Sequence, residues 1–188
     1  ILTLAAALLR LPAVETDLSA RALSALGERH GWATLTASGR DLGLAGTAPT
    51  PEAIAEAAAI ARSVAGVRVV MVSAEPLPLA EPFVLAVQWD GTSATLTGFA
   101  PDAGARALFA EAARAALPDA TIDDRLALAR GAPEGFADLA TFAIARLAQL
   151  RQGRAELAGA DHTVAGWARS PVDDEAVVAA LAAPPPGA

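Results

Sequence analysis

The chain has 188 residues, 54% of them hydrophobic but only 4% aromatic, and a formal net charge of -7 in which all fourteen cations are singly scattered arginines. Phosphate binding needs concentrated positive charge, so this distribution argues against a nucleic-acid partner. The absence of cysteine removes structural disulfides, cysteine-rich zinc sites and thiol chemistry, and leaves the compartment open.

Ile1 to Leu9 are nearly uniformly apolar, and Arg10 interrupts them before Leu11-Pro-Ala-Val14. Alone they are too short to span a bilayer. Residues 1–14 read as the end of a membrane anchor or signal segment, with a buried strand or helix start as the other reading. From Glu15 to Glu28, Leu18, Ala22 or Leu23, and Leu26 share one face of an amphipathic helix, with Thr16 or Asp17 as its cap and Gly31 as its end. Trp32 to Ser38 alternates apolar and hydroxyl residues, Gly39-Arg40 turns, and Leu42 to Gly46 returns as a hairpin with Leu42 and Leu44 on its covered face. Thr50 is the cap candidate for a helix opened by Pro51 and packed through Ile54, Ala58, Ile60 or Ala61, and Val64. Gly66 closes that helix, and Val67 to Val72 form the strand that rejoins the sheet.

A three-proline linker at residues 76–82 is extended and poor in internal hydrogen bonds. Phe83 to Trp89 then read as a strand, Asp90-Gly91 as a type I′ turn pair, and Ala94 to Gly98 as the returning strand. A helix follows from about Asp102 to Leu117, broken at Pro118, with Thr121 to Leu128 as the closing strand. Pro133 to Leu150 carry a helix that turns Phe136, Leu139 or Ala140, Ala143 and Leu147 inward. Arg154 to Ala158 and Thr163 to Gly166 form a third hairpin, and a last helix is expected over Val172 to Ala183. Pro184-Pro-Pro-Gly-Ala188 stand where a closing strand would begin.

The hairpins repeat one pattern. Gly39 and Gly46, Gly91 and Gly98, and Gly159 and Gly166 keep a seven-residue step, with an aliphatic residue two places before the last glycine. Gly46 to Gly66 and Gly98 to Pro118 are both twenty-residue steps, so helix length repeats too. The expected fold class is α/β (α+β): tandem small units, each helix-strand-strand-helix-strand, with helices on one face of a three-stranded mixed sheet. Unit 1 covers residues 15–75, unit 2 residues 83–130, and a partial unit 3 residues 131–188.

Leu42-Gly-Leu-Ala-Gly46, with Pro51 after it and Gly66-Val67 opening the last strand, resembles the BON domain. Unit 2 shares the pattern at Ala94-Thr-Leu-Thr-Gly98 but has Pro118-Asp-Ala where Gly-Val would stand; unit 3 has Thr163-Val-Ala-Gly166 and no closing strand. An apolar N-terminal segment followed by such repeats is similar to the N-terminal region of OmpA-family proteins from alphaproteobacteria. That resemblance implies a periplasmic, membrane-anchored cell-envelope role as a spacer and contact region. It implies contact with membrane lipid or an envelope protein, with peptidoglycan reached through a domain not in this chain. It brings no catalytic residues.

The residues themselves suggest no catalyst, cofactor or metal. The glycines are not followed by Lys-Ser/Thr and form no nucleotide loop, so Gly39, Gly46, Gly66, Gly91, Gly98, Gly159 and Gly166 read as structural. His30 and His162 are isolated, and no serine has a paired histidine. Asp123 and Asp124 are adjacent on a strand and point to opposite faces, whereas a hydrolase needs two carboxylates across a cleft. Asp173, Asp174 and Glu175 suit the first turn of a helix. Trp32, Trp89, Phe99 and Trp167 are the candidate contact aromatics, their other reading being core or inter-unit packing. A phospholipid-binding module is the alternative function, and an envelope hydrolase the remote one.

Overall fold

A computed structural model describes residues 15–183, which divide into two compact units at Leu77/Pro78. In the first, residues 15–26 form helix α1, followed by a 3-10 turn over Glu28–His30. Leu18, Ala22 and Leu26 are buried and Leu23 is exposed, which settles the inward face. Residue 15 is already helical, so Thr16 and Asp17 lie inside α1 rather than capping it. The helix ends at Gly27, whose φ of 65° breaks it four residues before the expected Gly31.

Strands β1 (Thr34–Ser38) and β2 (Asp41–Ala45) form the expected hairpin. Beyond Gly46 the short β3 (Thr47–Ala48) leads to α2 (Pro51–Ser63), where the Thr50 hydroxyl accepts the Ala53 N–H and Pro51 fills the first turn. Ala57, Ala58 and Ala61 are its buried residues. Alanine brings helix and sheet close together. β4 (Val69–Val72) then runs parallel to β2, giving the sheet order β1-β2-β4, and β5 (Glu75–Pro76) runs parallel to β3.

The second unit repeats the plan from the hairpin onward. β6 (Val84–Trp89) and β7 (Ser93–Ala100) form a hairpin, α3 (Ala103–Ala116) is capped by Asp102 accepting the Ala105 N–H, and β8 (Thr121–Asp124) and β9 (Ala127–Leu128) return parallel to β7. The turn is longer than a two-residue one. Trp89 pairs with Ala94, and Asp90 closes the loop by accepting the Thr92 and Ser93 N–H groups. Part of the expected linker belongs to regular structure, since Glu75 and Pro76 lie in β5, and Ala80 N–H donates to the Arg130 carbonyl.

Residues 131–183, expected as a partial third unit, join the same sheet and core as residues 83–130. α4 (Phe136–Arg146) and a 3-10 turn (Leu147–Gln149) lead into β10 (Leu150–Ala158), β11 (Asp161–Ala168) and α5 (Pro171–Leu181), which is capped by Ser170. β10 pairs antiparallel with β6, so the sheet reads β11-β10-β6-β7-β8, with β9 also on β7. α4 packs beside α3: Phe136 meets Phe83 edge-on at 4.9 Å and Phe109 at 6.3 Å, and Leu139, Ala140, Ala143 and Ile144 are buried around them.

No helix among the described residues is long and apolar enough to cross a membrane. The longest α-helix with defined ends has 14 residues, about 21 Å of rise against about 30 Å of hydrocarbon. The expected transmembrane helix and membrane-anchored localisation are corrected accordingly, and residues 1–14, which prompted them, lie outside the described residues.

Candidate contact surfaces

The repeat glycines share one geometry. Gly46, Gly98 and Gly166 all have positive φ, and a Cβ on each would strike the backbone carbonyl oxygen of the residue fourteen places earlier, Trp32, Val84 and Gln152. Only glycine lets the second hairpin strand bend so close to the first. Gly39 and Gly159 turn their hairpins in open space, Gly91 faces the Arg151 carbonyl, and Gly66 sits at φ 101° beyond α2. All seven have positive φ, a backbone region that favours glycine.

The four aromatics part company. Trp89 is 5% exposed, lies on the core side of β6 with Leu85 and Val87, and donates its indole N–H to the Leu150 carbonyl at 3.3 Å. Phe99 packs against Phe83 at 5.9 Å. Trp32 is half-buried against the first core, edge-on to His30. Trp167 alone presents its ring, at 71% exposure. Strand parity separates them: Leu85, Val87 and Trp89 alternate inward, while Trp167 is out of step with His162 and Val164, which face the helices.

Trp167 stands on the helix-free face of the sheet. A shallow groove there is lined by Gln88, Gln152, Arg154, Ala165 and Trp167, and a second by Val84, Ala86, Thr97, Glu156 and Thr163. Arg154 and Glu156 pair with each other on this face. The surface is mixed polar and apolar, with one large ring at its end.

The carboxylates serve the fold. Asp123 pairs with Arg125, and Asp124 accepts from Arg106 at 2.8 Å and from the Leu126 N–H. Burial works to raise the Asp124 pKa, but the Arg106 hydrogen bond and the Leu126 N–H outweigh it and hold the group below the usual carboxylate range. Arg68 meets Asp41 with two hydrogen bonds, of 2.8 and 2.5 Å, lowering the carboxyl, while Asp90 is lowered by its Ser93 and Thr92 donors. Asp173 joins its helix cap through Ser170. His30 is buried with Nδ1 3.0 Å from the Leu26 carbonyl, and His162 lies against Phe142. Among the described residues no group of three or more His, Cys, Asp or Glu is placed to hold a metal.

Comparison with known families agrees with this geometry. Residues 17–74 match the BON domain and residues 85–129 match the BON-like domain, so tandem BON and BON-like domains are present. No curated protein matches the chain.

Proposed function

We propose that this chain, a non-catalytic protein built from tandem BON and BON-like domains, is a contact and spacer region of the periplasmic cell envelope. In this reading it stands between membrane and peptidoglycan, as in OmpA-family proteins, and touches lipid or an envelope protein through the helix-free face of its second unit. The single observation that carries the contact role is Trp167, whose ring is 71% exposed beside a shallow groove while Trp89 is buried and Trp32 half-buried. A large ring with one polar edge suits the headgroup region or a protein contact. The net charge of -7 favours zwitterionic over anionic surfaces.

Co-sedimentation with phosphatidylcholine vesicles, phosphatidylcholine/phosphatidylglycerol vesicles and purified sacculi tests the reading. The expected result is binding to zwitterionic vesicles that Trp167→Ala abolishes and Leu23→Ala leaves intact. A chain that ignores both vesicle preparations would sink the lipid contact, and turnover of an envelope substrate would overturn the non-catalytic reading.

A further inference from the structure

We draw no further inference here: the strongest candidate, the helix-free face of the second unit's sheet around Trp167, Gln88, Gln152 and Arg154, belongs to the contact surface already described, and nothing in the structure shows what covers it.

Discussion

At Gly98 a Cβ would meet the Val84 carbonyl oxygen and the backbone of Leu85 at a φ of 102°, whereas at Gly159, at φ 63°, it would meet nothing within 4 Å. Gly159→Ala is therefore expected to cost about 1 kcal/mol, from backbone conformation alone. Gly98→Ala adds a backbone collision and should cost about 3 kcal/mol or more; urea unfolding of the two variants measures the difference. The tryptophans give a second contrast. Trp89→Ala opens the core and is expected to lose about 3–5 kcal/mol, while Trp167→Ala, at an exposed position, should stay within about 0.5 kcal/mol. Gly46, Gly98 and Gly166 were legible in the sequence because a Cβ at each would strike a backbone carbonyl oxygen. The aromatics were not separated by residue type, although the alternation Leu85, Val87, Trp89 held the signal that places one of them inside.

Among the elements, the hairpins and the helix capped by Thr50 follow from local chemistry, and were legible for that reason. The pairing of β6 with β10 does not, because an apolar alternation looks the same on an edge strand and on a central one. The alanine-rich helices also blur their own faces: in α1 only packing distinguishes buried Ala22 from exposed Leu23. Electrostatics at this scale has a definite sign. Asp41, Asp90 and Asp124 are all held below the usual carboxylate range. Their contribution is present above the unfolded value of about 3.9 and is lost as pH falls through their lower folded values. Melting temperature is expected to hold from pH 7 to about 5 and to drop below about pH 4 on this account. Asp124→Asn should lower stability at pH 7 and shrink the acid-dependent drop; an unchanged acid profile would show that these pairs do not govern it.

For the molecule as a whole, the three hairpins are in one register, yet they are not three separate bodies. Val87 and Ala155 hold equivalent places in their repeats and pair directly with each other, and Leu85 pairs with Leu157, so two hairpins meet across a local two-fold at the β6–β10 seam. Phe136 and Ile144 of α4 complete the core beneath that seam. Deleting residues 131–188 removes β10 together with the α4 side chains Phe136, Leu139 and Ile144, each worth about 2–5 kcal/mol of burial. The expected outcome is an unfolded second unit beside a first unit that keeps its cooperative transition, read by circular dichroism and limited proteolysis. The fusion was beyond sequence reading because no residue marks a sheet edge as joined. Residue-resolved hydrogen exchange by NMR tests the seam most directly. If β6 is an interior strand, the amides of Leu85 to Trp89 exchange slowly without interruption, at the rate of global unfolding of the second unit. Fast exchange at every other β6 amide, the mark of an open edge, would contradict the shared sheet.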